Sequence, residues 1–113
     1  MTDMFYYCKQ LSKLDLSSFN TSNVTNMYQM FYEISLNYSD LDISNFDTAD
    51  VINMSHMFSN CTSFTDLDLS GLYGYSATDF SYMFAGCTKL TSLDISNLWG
   101  VIQEPADVSY MFY

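Results

Sequence analysis

Basic residues are scarce in this chain, and their scarcity excludes several kinds of partner. The sequence has no arginine and only three lysines against 13 acidic residues, which gives a formal net charge of −10. A protein this acidic repels nucleic-acid phosphates and anionic lipid headgroups, so neither is an expected partner. The longest apolar runs are too short to cross a bilayer, so membrane insertion is not expected. No secretory signal is recognisable, and a targeting segment of an exported protein would lie outside this chain.

Histidine and cysteine are too few for a metal or catalytic centre to be expected. The sequence has one histidine, His56, and its three cysteines form no CxxC pair. A structural zinc site needs four such ligands. No nucleophile and base can be paired from the sequence either. We therefore expect no enzyme activity, no metal and no cofactor.

The chain has an internal repeat instead. A Met-Phe dipeptide recurs at intervals of 26, 27, 26 and 28 residues, and a Leu-Asp-Leu/Ile-Ser segment keeps the same period. A fixed period in the twenties is typical of stacked supersecondary units. We predict one domain over residues 1–113, with repeats at 1–13 (partial), 14–40, 41–66, 67–92 and 93–113 and both ends uncapped. The dipeptides begin at Met4, Met30, Met57, Met83 and Met111.

Each repeat is predicted to contain a strand, a turn and a short helix. Leu11, Leu14 and Leu16 follow the LxxLxL pattern of a short parallel strand. Met27 and Phe31 lie at helical spacing on an apolar stripe. The predicted fold is an α/β repeat solenoid of leucine-rich-repeat-like type. It has a parallel sheet on one side, short helices on the other and about four rungs.

The cysteines follow the same period. Each lies three residues after the phenylalanine of a Met-Phe dipeptide, and the second repeat has Ile34 at that position. A position that accepts either cysteine or isoleucine is typically a small buried apolar site. Cys8, Cys61 and Cys87 are therefore predicted to be buried free thiols.

The recurring residues resemble the 26-residue, BspA-like leucine-rich repeats of bacterial surface proteins. The match is best over residues 11–31 and 38–61, where SNVTNM at 22–27 and NFDT at 45–48 follow the family pattern. The resemblance covers the whole chain. It implies a leucine-rich-repeat-like solenoid on a secreted or surface-anchored protein, with adhesion or host-interaction roles and no catalysis. It carries over no functional residues.

Two functions are compatible with these features. The first is a non-catalytic extracellular scaffold that mediates adhesion or a protein or glycan interaction, located outside the cell or at its surface. The alternative is a structural subunit that assembles head to tail into a filament, or a slice of a longer repeat array. The two ends have the same phase of the repeat and are apolar, so they are expected to contact each other between copies or to continue an array. The residues of this end-to-end contact are Met1, Met4, Phe5, Met111 and Phe112.

Acidic residues on neighbouring strands form a weak candidate site for calcium. Carboxylate oxygens grouped one strand apart could attract this ion. The pattern lacks a closed set of ligands, so a solvated acidic surface is the favoured interpretation. The candidate residues are Asp40, Asp42, Asp66 and Asp68.

Five N-glycosylation motifs are present, although Asn-Val-Thr is also part of the repeat pattern. Asn37 and Asn60 are expected to be the more exposed acceptors because they lie near predicted helix ends. The other three acceptors are Asn20, Asn23 and Asn53.

A possible contact surface lies on the outward face of the predicted helices. His56, Tyr82 and Tyr110 share one column of the repeat, and rings in a row could bind a protein or a sugar. Solvated side chains without a partner are the favoured interpretation. Trp99 lies in an insertion and could join this surface or fill the interior instead.

Overall fold

Regular secondary structure is sparse in this protein. The computed structural model describes residues 1–99 and 106–113. Two short strands, β1 (Asp66–Asp68) and β2 (Ser92–Asp94), pair in parallel with Leu67 opposite Leu93. A 3-10 turn spans Tyr38–Asp40, and one helix, α1, spans Ser96–Trp99.

The predicted α/β leucine-rich-repeat-like solenoid is wrong. That fold requires a strand and a helix in each of about four rungs. The described residues contain instead two three-residue strands in one two-stranded sheet and one four-residue helix. They form a compact globule with a radius of gyration of 12.8 Å and extents of 37 × 32 × 22 Å.

Left-handed backbone explains why the Met-Phe segments are turns and not helices. The residue before each dipeptide has a φ between 51° and 55°. A right-handed helix needs a φ near −63° at every residue, so one left-handed residue interrupts it. The residues of the apolar stripe are therefore buried, but they lie in turns and not on a helix. The left-handed residues before Met-Phe are Asp3, Gln29, His56, Tyr82 and Tyr110.

Strands β1 and β2 are short because an aspartate turns the chain after each of them. The Ser70 N–H donates to Oδ1 of Asp68 at 2.9 Å. The Ser96 N–H donates to Oδ1 of Asp94 at the same distance. An aspartate that accepts the N–H two residues on replaces the next strand hydrogen bond with a turn. Asp15 with Ser17 and Asp42 with Ser44 form the same turn.

The phenylalanines of the Met-Phe dipeptides form one stack, whose three middle rings are buried in the core. Their rings stack in chain order with centroid separations of 5.6, 5.5, 6.0 and 5.5 Å. Met27, Met54 and Phe80 are fully buried. Burial of each such side chain stabilises the fold by about 1.5–3 kcal/mol. The stacked rings are those of Phe5, Phe31, Phe58, Phe84 and Phe112.

Backbone hydrogen bonds join each Met-Phe turn to the next one along the chain. The Phe58 N–H donates to the carbonyl of Met83 at 3.0 Å, and the His56 N–H donates to that of Ser81 at 3.0 Å. Single parallel bridges accompany these bonds between residues 26 and 53, 53 and 79, and 79 and 107. Equivalent turns are therefore neighbours in space. The proposed repeat boundaries and uncapped ends stay predictions.

The cysteines are free, as predicted, but they are not equally buried. Cys61 is fully buried like Ile34 at the equivalent position, whereas Cys8 and Cys87 are half-buried. Burial raises the pKa of the Cys87 thiol to about 11 and raises the pKa of the Cys61 thiol still further. The Cys61 thiol donates to the carbonyl of Phe31 at 3.1 Å. Both Cys61 and Cys87 are therefore protonated and unreactive at neutral pH.

Candidate contact surface

Three of the four acidic side chains considered for calcium, those of Asp42, Asp66 and Asp68, accept hydrogen bonds from the protein's own backbone or hydroxyl groups. Oδ1 of Asp42 accepts the Ser44 N–H at 3.0 Å, in the same arrangement as Asp68 with Ser70. Hydrogen bonds from these serines hold the pKa of both carboxyls below the ordinary 3.8. The four candidates are Asp40, which is half-buried, and the exposed Asp42, Asp66 and Asp68. Within residues 1–99 and 106–113, no group of three or more acidic, histidine or cysteine residues is arranged to hold a metal ion.

The glycosylation motifs differ in the accessibility of their asparagines. The Asn60 amide is half-buried and donates to the Tyr32 hydroxyl at 2.8 Å, so it is less accessible than its position near a predicted helix end indicated. The Asn53 amide is half-buried too and donates to Oδ2 of Asp79 at 3.3 Å. Attachment of a glycan at either residue would disrupt these bonds. The exposed acceptors are Asn20, Asn23 and Asn37.

Six aromatic side chains form a continuous line on the surface, which we call the ring row. Successive centroids are 4.9, 6.5, 4.7, 4.9 and 5.5 Å apart. The first ring and the last two are exposed, and the three between them are half-buried. The row contains the predicted trio His56, Tyr82 and Tyr110 and extends it in both directions. In order, its members are Tyr6, Tyr32, His56, Tyr82, Tyr110 and Tyr113.

Neighbouring rings in the middle of the row are stacked face to face. The planes of His56 and Tyr82 differ by 5°, and those of Tyr82 and Tyr110 by 16°, so the ring faces cover one another. The three rings of His56, Tyr82 and Tyr110 are aligned because each residue has the same left-handed backbone before its Met-Phe dipeptide. The last ring differs, because Tyr113 meets Tyr110 at 86° and is 82% exposed. The row can therefore offer a partner both tyrosine hydroxyls for hydrogen bonding and aromatic ring surface.

His56 is half-buried, although the sequence placed it on the solvent face. Its ring stacks on Tyr82 at 4.7 Å and meets the edge of Tyr28 at 5.7 Å. Its Nδ1 atom is buried and forms no hydrogen bond with a described residue. Burial lowers the pKa of His56 below the ordinary 6.5 and outweighs the opposite effect of the Asp79 charge. Among the described residues, the imidazole contacts aromatic rings, and its Nδ1 forms no hydrogen bond with a hydroxyl or thiol.

The remaining candidates lie at α1 and at the two ends of the chain. Trp99 is the last residue of α1, and its side chain and the insertion at 100–105 lie outside the described residues. At the first end, Met4 is exposed and Phe5 is half-buried. At the other, Met111 is buried and Phe112 is exposed. The amino group of Met1 donates to the carbonyl of Asn26 at 2.8 Å.

One comparison with known proteins decides the family of this chain. A family model described as Mycoplasma protein of unknown function, DUF285, matches residues 1–113. The chain belongs to this family. No curated protein and no solved structure matches it. In the described part of this DUF285 chain, no helix has the length and apolar character that a membrane crossing requires.

Sequence reasoning about this DUF285 chain missed the left-handed residues and half of the ring row. A usable signal was present for a second left-handed position, four residues after the first in each turn. Asn60 and Gly86 occupy equivalent positions of two repeats, and asparagine and glycine adopt left-handed backbone most readily. Gly86 has a φ of 73°, and a side chain there would collide with the Asn60 amide. Tyr6, Tyr32 and Tyr113 share a second column, directly after the Met-Phe dipeptide, which the sequence shows. The contacts that join this column to that of His56, between Tyr32 and His56 and between Tyr110 and Tyr113, could not be read from it.

Proposed function

We propose that this chain is a non-catalytic binding module, outside the cell or at its surface, that mediates adhesion through a protein or glycan partner. The observation that carries the proposal is the ring row. Aligned tyrosines provide contact area at a small cost in conformational entropy, since each has only two side-chain torsions. Tyrosine is also enriched among the residues that dominate binding energy at interfaces.

The chemistry of the described residues supports a binding role over a catalytic one. The Cys61 and Cys87 thiols have raised pKa values and donate hydrogen bonds to carbonyls, so they are poor nucleophiles. His56 is packed between rings and forms no hydrogen bond to a hydroxyl or thiol in residues 1–99 and 106–113. An activated nucleophile requires such a base within hydrogen-bonding distance.

The sequence resemblance supports the cellular location. The DUF285 match assigns no activity, but the repeat pattern resembles the BspA-like repeats of bacterial surface proteins. The surface is rich in tyrosine, serine, threonine and asparagine and poor in lysine. We therefore place the module on the outer side of the cell, where its ring row would face other proteins or glycans.

The test is a binding assay on the ring-row hydroxyls. The chain is screened against arrays of extracellular proteins and glycans, and each hit is measured with the double variant Tyr82→Phe, Tyr110→Phe. These changes keep both rings stacked and remove two hydroxyls, each worth about 0.5–1.5 kcal/mol as a hydrogen-bond partner. We expect about tenfold weaker binding.

The matched control is the double variant Tyr73→Phe, Tyr75→Phe. These two exposed rings also stack, 5.4 Å apart, but lie outside the ring row. We expect the control to bind as the unmodified chain does. Equal losses in both variants, or a hit unaffected by either, would show that the ring row is not the binding surface.

A further inference from the structure

An aspartate lies beside His56 in the middle of the ring row. The Ser81 N–H and hydroxyl donate to Oδ1 of Asp79 at 3.0 and 2.7 Å. The His56 N–H donates to the carbonyl of the same serine at 3.0 Å. Burial has the larger effect on the pKa of His56, which it lowers, and the Asp79 charge acts on this pKa in the opposite direction. The Asp79 carboxylate is therefore close enough to the row to attract positive charge to it.

Asp107 has the same position one turn later. The Ser109 N–H donates to Oδ1 of Asp107 at 2.8 Å, and the Tyr82 N–H donates to the carbonyl of Ser109 at 3.1 Å. A parallel bridge pairs Asp107 with Asp79, so the two aspartates are neighbours. Asp107 is exposed and Asp79 is half-buried. Two adjacent negative charges thus lie along the row.

The row has no positive charge of its own to oppose these aspartates. Its other members are tyrosines, and His56 is neutral at pH 7 because burial lowers its pKa below the ordinary 6.5. Among the described residues, the one ion pair is that of Lys9 with Glu33, so neither aspartate is paired with a lysine. The whole chain has a net charge of −10. Such a surface attracts basic partners and disfavours acidic ones.

Lys9 shows how this chain holds a cation next to a tyrosine. Its Nζ atom is 3.0 Å from Oε1 of Glu33 and 4.1 Å from the centroid of the Tyr7 ring. The Tyr7 ring is 6.1 Å from that of Tyr6, the first member of the ring row. A carboxylate and an aromatic ring together bind an ammonium or guanidinium group by an ion pair and a cation–π contact. Further along the row, carboxylates and tyrosines are again neighbours, but the chain supplies no cation there.

We propose that the partner of the ring row is a basic segment of another protein. Arginine or lysine side chains of that segment form ion pairs with Asp79 and Asp107, and its polar groups bind the hydroxyls of Tyr82 and Tyr110. Arginine fits better than lysine, because its planar guanidinium forms two parallel hydrogen bonds with a carboxylate and packs on aromatic rings. This assignment rests on the proposed binding function and adds the chemical class of the partner.

The test measures the binding of a fluorescent peptide of alternating arginine and glycine to the whole chain. A peptide with citrulline in place of arginine is the neutral reference. The variant Asp79→Asn with Asp107→Asn removes both charges from the row. Asparagine is expected to fit, because Asn53 occupies the equivalent position and accepts the Ser55 N–H at 2.8 Å. Circular dichroism melts check folding, and Asp107→Asn alone replaces a double variant that does not fold.

The matched control is Asp15→Asn with Asp42→Asn. Both aspartates are exposed, lie in Leu-Asp segments and accept a serine N–H at 3.0 Å, so the control makes the same change of charge in the same kind of turn. Binding is measured at physiological ionic strength, where charges more than about 8 Å apart are largely screened. We expect the Asp79 and Asp107 variant to bind the arginine peptide about fivefold more weakly, as for the loss of two exposed ion pairs. The control is expected to bind it as the unmodified chain does.

Three results would overturn the basic partner: an arginine peptide bound no better than the citrulline peptide, binding unaffected by the loss of Asp79 and Asp107, or equal losses in the variant and its control. Failure of the binding function itself is distinguishable, since array hits would then be insensitive to Tyr82→Phe with Tyr110→Phe. Neutral glycans or acidic proteins that are weakened by the tyrosine variant and unaffected by the aspartate variant would support the binding function and contradict a basic partner.

Discussion

At the scale of single residues, the left-handed residue before each Met-Phe dipeptide determines the local structure. The positive φ of His56 interrupts the helical path, and its N–H is then donated to the carbonyl of Ser81 in the next turn. Left-handed backbone costs a residue other than glycine about 1–2 kcal/mol. Cross-turn hydrogen bonds and ring stacking offset that cost.

The pH dependence of stability tests the packing of His56. Its pKa is lowered by burial from the ordinary 6.5, so the folded state binds the proton less tightly than the unfolded state. The contribution of His56 to stability is therefore complete above pH 6.5 and is lost as the pH falls through the lower pKa of the folded state. We expect the melting temperature to decline over this range, before the aspartates, with ordinary pKa values of 3.8, begin to be protonated.

The matched variant for this measurement is His56→Tyr. Tyr82 and Tyr110 show that a tyrosine fits the same left-handed position and continues the ring row. This variant should fold and lose the decline just below pH 6.5. An identical decline in the variant would assign the effect to another group.

At the scale of elements, the sequence located the buried side chains of each turn but not their backbone conformation. Met27 and Phe31 were placed on an apolar stripe, and both are fully buried. Spacing of three and four residues is shared by a helix and by a compact turn, so periodicity could not separate them. The predicted strands were also more extensive than the observed ones. The Asp-x-Ser segments begin turns, and these turns end the strands.

Gln29 offers a direct comparison of the turn with a helix. In a helix, Gln29→Ala would be more stable than Gln29→Gly by about 1 kcal/mol. At a φ of 51° the order reverses, because glycine avoids the steric cost of left-handed backbone. We expect Gln29→Gly to be more stable than Gln29→Ala by about 0.5–1 kcal/mol, a net of these two effects, in urea unfolding.

The control for that pair is Asp50, which is exposed and has no positive φ. There Asp50→Ala is expected to be at least as stable as Asp50→Gly. The same order of stability at Gln29 as at Asp50 would show that the turn geometry is wrong.

At the scale of the whole molecule, the period of the sequence identified which residues are equivalent, and it did not identify the architecture. The five phenylalanines of the Met-Phe dipeptides do stack in order. The inference from a period in the twenties to a sheet-and-helix solenoid failed because it took the secondary structure of each unit for granted. The ring row was half predicted, since rings in one column of the repeat can be read from the sequence and contacts between columns cannot.

The ring row depends on hydrogen bonds from each Met-Phe turn to the next. Scalar couplings across hydrogen bonds, measured by NMR on isotope-labelled protein, detect these bonds one pair at a time. We predict couplings from the His56 amide to the Ser81 carbonyl and from the Phe58 amide to the Met83 carbonyl. Couplings from the same amides to the carbonyls of Ile52 and Met54, four residues earlier, would indicate helices and contradict this account.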